Sequence, residues 1–305
     1  MTVAYNLAII AIAVVGLWKG ADWVVESASR IARRLGLSEL VIGLTVVAVG
    51  TSAPEFAVTV NAALKGQAEI AIGNVVGSNI FNLGFILGGV TLFGAATITR
   101  RVLWRDGGML IGTGLLLVLM LADGTLVWWE GVILISLLIA YLVFLFVQKQ
   151  PLEEVPKGGP FRWWDVPMIV LGIAVIVTSG HFLVGSASVL ARLAGISEWF
   201  IAVTIVAIGT SMPEFATSFV AVVRGRHGIS LGNLIGSDLF NLLGVLGLSA
   251  MLQPLQVTDQ IWMNVVVLAA FMFVVVGMMR SGWQISRTEG MILLLLTAVR
   301  WGISM

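Results

Sequence analysis

The sequence predicts an all-α membrane protein of ten transmembrane helices, arranged as two inverted five-helix repeats with both termini outside. Three observations lead there. The chain is 59% hydrophobic and 11% charged, with a mean hydropathy of +1.04, which is more apolar surface than a soluble domain of 305 residues can hide. Residues 43–88 and 202–247 are two versions of one segment, GLTVVAVGTSAPEF with GNVVGSNIFNL and AVTIVAIGTSMPEF with GNLIGSDLFNL. The basic residues also divide unevenly between the loops of the two sides, which sets an orientation.

A bilayer span takes about 20 mostly apolar residues. Ten stretches qualify, near 4–27, 39–64, 69–93, 104–122, 126–148, 166–190, 198–223, 228–252, 260–279 and 285–303. The first, within MTVAYNLAIIAIAVVGLW, lacks a basic leader and a cleavage signal, so it reads as a helix rather than a removed signal peptide. The second and seventh open on Ser38-Glu39 and Ser197-Glu198, which read as helix caps. The third and eighth carry Gly73, Gly77, Gly232 and Gly236 at four-residue spacing, suited to close helix approach. Asp123-Gly124 and Gln253-Pro254 mark turns between later spans. Trp128, Trp129, Trp163 and Trp164 fall at span ends, where aromatic belts form.

The sizeable loop, 149–165, is rich in Pro, Gly and charge and reads as a cytoplasmic linker between a first repeat, 1–148, and a second, 166–305. With the N-terminus outside, thirteen Lys and Arg residues lie in inner loops, against Lys65 and Arg192 in outer ones. Five spans per half is odd, so the second half threads the membrane in the opposite direction. The matched block reaches back to 21 and 180, where Ser27-Ala28-Ser29 aligns with Ser186-Ala187-Ser188. Spans 104–148 and 260–303 share no visible likeness and are expected to be lipid-facing scaffold. Asp22 and Glu26 align with His181 and Gly185, a mismatch that favours an interfacial or local pairing role over a shared one.

Glu55 and Glu214 stand 159 positions apart, as do Asn82 and Asn241. A carboxylate deep in a span costs roughly 2.5–3.5 kcal/mol on insertion scales, so a matched pair implies a cation site. Pro54 and Pro213 are expected to break each helix beside its glutamate and free the carbonyls of Gly50 and Gly209. Calcium takes about six to eight oxygens. Bidentate Glu55 and Glu214 with carbonyls of Thr51 and Thr210 would supply six, and two carboxylates neutralise one divalent ion. Ser52, Ser211, Ser78 and Ser237, with carbonyls near Ala48 and Ala207, offer neutral oxygens suited to sodium. Asn82 and Asn241 read as ligands or as supports of ligands.

Other classes are disfavoured. A net charge of +1 gives nucleic acid no handle, and the absence of cysteine removes disulfide and thiol chemistry. An enzyme is the weakest option, because neither HExxH nor a pair of membrane aspartates across the halves is present. His181 and His227 lack a companion at metal-ligand spacing. The linker is too short for a separate sensor domain. A channel could use the same carboxylates, but its flux would not depend on a counter-ion.

The paired GTSxPE and GSxxFN segments resemble the alpha repeats of the cation/calcium exchanger superfamily, in its sodium/calcium exchanger branch. The resemblance implies an antiporter of the cytoplasmic membrane that works by alternating access, without a cofactor and as a monomer, with small inorganic cations and the bilayer as its partners. It implies calcium on Glu55, Glu214, Thr51 and Thr210, and sodium on Ser52, Ser78, Ser211, Ser237, Ala48 and Ala207. Proton-coupled relatives tend to have Gly-Asn where this chain has Gly-Thr-Ser, and potassium-dependent ones Asp in place of Asn241. Both alternatives are therefore less favoured. Some relatives carry an acid at that last position, whereas here the acid is Asp238, one helical turn earlier and opposite Asn79. A ligand role, a place in the pathway or a pairing elsewhere would each fit it.

Overall fold

A computed structural model describes residues 2–148, 159–196 and 207–304. The chain is helical, with α1 Thr2–Leu35, α2 Glu39–Thr51, α3 Ala53–Leu64, α4 Ala68–Phe93, α5 Val102–Asp123, α6 Trp128–Val147 and α7 Asp165–Leu193. Then follow α8 Ala207–Thr210, α9 Met212–Val223, α10 His227–Leu252, α11 Asp259–Gly282 and α12 Arg287–Ser304. Seven of these are long and apolar enough to cross a membrane, and α2 with α3 makes an eighth if counted as one broken span. The protein is thus an all-helical, multi-pass membrane protein. The Ser197-Glu198 cap and most of the linker lie outside the described residues.

The helices group into two compact units, each drawing on both ends of the chain. The first comprises Met1–Pro54 and Gln150–Asn233. Its core is a stripe on α1, with Ala21, Val24, Val25, Ala28 and Ala32 all fully buried at helical spacing. α1 meets α7 where glycines allow it: a methyl on Gly20 would lie 2.8 Å from the Gly172 carbonyl oxygen, and one on Gly172 equally close to that of Gly20. α2 meets α10 in the same way, since a methyl on Gly43 would sit 2.8 Å from the Ile229 carbonyl oxygen and 3.1 Å from the Gly232 Cα. Backbone cannot give way as a side chain does. Gly43→Val is therefore expected to destabilise the protein by about 1–3 kcal/mol or more, read as a lowered melting temperature in detergent. An unchanged melt would contradict the crossing.

Charged groups gather at one end of this unit. Arg30 pairs with Asp165 at 2.8 Å and Glu26 at 3.6 Å. Arg226 pairs with Glu39 at 3.2 Å and Glu26 at 3.6 Å, and Arg224 with Asp22 at 2.7 Å. Only the Glu26–Arg30 pair is local; Asp22 and Glu26 also reach Arg224 and Arg226 of the second half. At the start of α2 the cap is Ser38, whose hydroxyl accepts from the Val41 N–H, while the Glu39 carboxylate is taken by Ser29 and Arg226.

The second unit comprises Glu55–Lys149 and Leu234–Met305. Here the 159-residue offset continues beyond the visible repeat. Two-residue antiparallel strands β1 Ala96–Thr97, β2 Thr125–Leu126, β3 Leu255–Gln256 and β4 Gln284–Ile285 pair as β1 with β4 and β2 with β3. β3 and β4 are β1 and β2 moved on by that offset, so the two clips are equivalent. Glycine contacts follow suit: a methyl on Gly88 would lie 2.8 Å from the Gly290 carbonyl oxygen, and one on Gly247, the counterpart of Gly88, 3.1 Å from that of Gly131. The scaffold spans are repeats as well, related through their backbone rather than their side chains.

Candidate ion-binding site

The helix breaks fall at serine. Ser52 (φ −79°, ψ 9°) and Ser211 (φ −88°, ψ 8°) interrupt the two helices with nearly the same backbone. Pro54 and Pro213 lie just after the breaks, in the first turn of α3 and α9, rather than within a continuing helix. A first-turn proline loses no hydrogen bond, because that N–H has no helical partner anyway. Glu55 and Glu214 consequently sit in first turns too, where the positive end of the helix dipole favours a carboxylate. Both are buried, at 1% and 0% exposure. The dipole offsets part of the cost of a charge at that depth.

In the first unit the Ser52 hydroxyl donates to Glu214 Oε1 at 2.8 Å. Asn233 braces the same place. Its amide donates to the Glu214 carbonyl at 3.4 Å and the Ser218 hydroxyl at 3.0 Å, and its Oδ1 accepts from the Thr51 hydroxyl at 3.0 Å. One asparagine thereby joins Thr51, from the first repeat, to Glu214, from the second. Thr51, Ser52 and Ser211 are fully buried, and Thr210 is half-buried. The Ala48 carbonyl accepts from the Ser52 N–H at 3.0 Å, and the Thr51 hydroxyl, whose single proton goes to the nearer Asn233 Oδ1, lies 3.3 Å from it, which leaves that carbonyl a lone pair to offer. Ala207 begins α8.

In the second unit Asn74, the counterpart of Asn233, donates to the Glu55 carbonyl at 3.4 Å and Thr59 Oγ1 at 3.0 Å. The two bonds donated by the amide match in the two copies, and the bond from Thr51 is an addition at Asn233. Neither asparagine stands out as a candidate in the sequence, although each lies in a repeated block, GNVVG or GNLIG. The equal offset that singles out Asn82 and Asn241 applies to them too.

Asn82 and Asn241 lie in matching π-helical turns, Phe81–Ile86 and Phe240–Val245. Such wide turns are frequent at functional sites. Asn82 donates to Asp238 Oδ1 at 3.0 Å, Asn241 donates to Asn79 Oδ1 at 3.3 Å, and Asn79 donates to the Asp238 carbonyl at 3.3 Å. The first two bonds are equivalents under the repeat. Asp238 thus takes the acceptor role that Asn79 plays in the other copy, with a carboxyl group in place of an amide. All four residues are fully buried, and among the described residues Asn82 Oδ1 and Asn241 Oδ1 have no hydrogen-bond partner. A buried acceptor left unmade costs about 1–3 kcal/mol, a penalty that a cation would remove. Ser78 is buried and donates to the Val75 carbonyl at 3.1 Å, and Ser237 is fully buried.

Broken helices, buried first-turn carboxylates and repeated polar braces define a secondary transporter for cations. The chain belongs to the sodium/calcium exchanger protein family, which it matches over residues 5–147 and 164–300. It is 32% identical over 339 residues to the sodium/calcium exchanger MaX1 of Methanosarcina acetivorans, covering 96% of each chain. It is 35% identical over 251 residues to the inner membrane protein YrbG of Escherichia coli, covering 77% of this chain and 76% of that one. Among solved structures, the sodium-calcium exchanger NCX_Mj soaked with zero Na+ and Ca2+ superimposes with a TM-score of 0.87 at 27% identity, covering 99% of this chain and 100% of that one. The family is one of antiporters, not of enzymes.

Proposed function

We propose that this protein exchanges calcium for sodium across the cytoplasmic membrane by alternating access. It does so as a monomer of ten spans in two inverted repeats, 1–148 and 166–305 joined by the linker, with both termini outside. Calcium is held by the carboxylates of Glu55 and Glu214 with carbonyls of Thr51 and Thr210. Sodium uses Ser52, Ser78, Ser211 and Ser237 with carbonyls of Ala48 and Ala207. Asn82 and Asn241 contribute their unpartnered amide oxygens, and Asp238 contributes charge beside them.

The single observation that carries this reading is the pair of buried glutamates, each in the first turn after a break and each with its carbonyl braced by an equivalent asparagine. Exchange follows from electrostatics. A bare site would carry uncompensated carboxylates through a low-dielectric barrier, so only the loaded site reorients.

Calcium uptake into proteoliposomes under imposed sodium, potassium and proton gradients, one at a time, tests the coupling ion. Uptake is expected to follow the sodium gradient and to stay at background under the other two. Uptake driven by a proton gradient alone would overturn the sodium assignment, and flux indifferent to any counter-ion would indicate a channel.

A further inference from the structure

The β1–β4 clip of the second unit carries a feature that the equivalent β2–β3 clip lacks. Trp283, just before β4, is the one described non-glycine residue with a positive φ, at 54°. Its counterpart under the repeat is Gly124, with φ 85°. The two backbones make the same bond, since the Trp283 carbonyl accepts from the Ile98 N–H at 2.8 Å and the Gly124 carbonyl from the Val257 N–H at 2.9 Å. Glycine adopts this left-handed conformation freely, whereas a bulky side chain is strained in it. The turn therefore has no need of tryptophan. Strain kept where the copy shows it to be unnecessary points to a role for the side chain.

What the indole gathers indicates that role. The Arg280 guanidinium carbon lies 4.8 Å from its ring centroid and that of Arg100 lies 5.7 Å from it, so two like charges converge on one ring. Arg101 and Arg287 flank them in sequence, and all four arginines are exposed. None of the four forms an ion pair among the described residues. The acid on this turn, Glu289, is occupied by the Ser281 hydroxyl and by the N–H and hydroxyl of Ser286. Trp104, 72% exposed, stands beside them in sequence as an interfacial anchor. At the counterpart clip Asp259 replaces Arg100 and Leu121 replaces Arg280.

We propose that this turn binds the phosphodiester headgroup of an anionic phospholipid, bridged by the Arg100 and Arg280 guanidiniums that Trp283 holds together. Topology alone would need only positive charge, which lysine supplies. A phosphate bridged by two stacked guanidiniums needs the planar fork. Anionic lipid is also what a leaflet presents to a basic juxtamembrane cluster.

The test is retention of phosphatidylglycerol by the purified full chain, measured by native mass spectrometry after mixed micelles with phosphatidylcholine are exchanged away. Wild type is expected to retain one phosphatidylglycerol. Arg100→Lys with Arg280→Lys, and separately Trp283→Gly, should each reduce that retention at least ten-fold. Trp283→Gly copies the native turn at Gly124, so it should fold with an unchanged or raised melting temperature, which separates loss of lipid from loss of structure. Full retention by the double-lysine variant would overturn the proposal in favour of a purely topological cluster. Equal retention of phosphatidylcholine, or displacement of the lipid by millimolar inorganic phosphate, would overturn the assignment to an anionic lipid headgroup.

Discussion

Glu214→Gln is expected to reduce sodium-dependent calcium uptake in proteoliposomes to background, with the protein still folded. The substitution keeps the shape of the side chain and an oxygen to accept the Ser52 hydroxyl, which now lies 2.8 Å away. It removes the charge. Calcium loses one of two carboxylates, and the amide presents a single oxygen where a bidentate carboxylate presented two. Because the first turn of α9 favours an anion and burial disfavours one, the neutral variant should melt close to the parent temperature. Folding and transport then separate cleanly. Glu55→Gln, buried in the matching first turn of α3, should behave alike. Undiminished exchange by either variant would place the ion elsewhere.

The second large effect concerns Asn233. Replacing it with alanine removes three hydrogen bonds at once, to the Glu214 carbonyl, the Ser218 hydroxyl and the Thr51 hydroxyl. Groups that orient metal ligands are worth roughly 10–100-fold in affinity, so the calcium concentration for half-maximal exchange should rise by about that factor. Asn74→Ala should act in the same direction but more weakly, since it is only half-buried and makes two such bonds. A rise in half-maximal calcium with the maximal rate preserved marks a bracing role; loss of the maximal rate alone would argue for a part in reorientation instead.

Much of this is legible in the sequence because the repeat preserves side chains where ions are to be handled. Glu55, Glu214, Asn82 and Asn241 stand out by identity and spacing. Asn74 and Asn233 lie in the same matched blocks, but an asparagine beside glycines reads as helix packing until its partners are seen. The rule that proline ends helices puts the break at Pro54 and Pro213, whereas the chain turns two residues earlier, at Ser52 and Ser211, and uses proline to start the next helix. The symmetry of the scaffold helices is not legible at all. It resides in β-clips of two residues and in glycine contacts such as Gly88 with Gly290, where backbone geometry is conserved between the halves while the flanking side chains differ.

The charged cluster at the end of α1 ties that helix to its neighbours. Arg226 is 6% exposed, and pulling it from Glu39 and Glu26 would strand a buried cation at a cost of about 3–5 kcal/mol. If the exchange cycle proposed above slides α1 past α2 and α9, that movement bears the cost. At the corresponding positions α7 has His181, Gly185 and Val189 where α1 has Asp22, Glu26 and Arg30, so these three charges belong to α1 alone. In that cycle a duplicated machine would otherwise rest evenly between its two orientations; these few ions would act as ballast on one side and choose which way the loaded carrier leans.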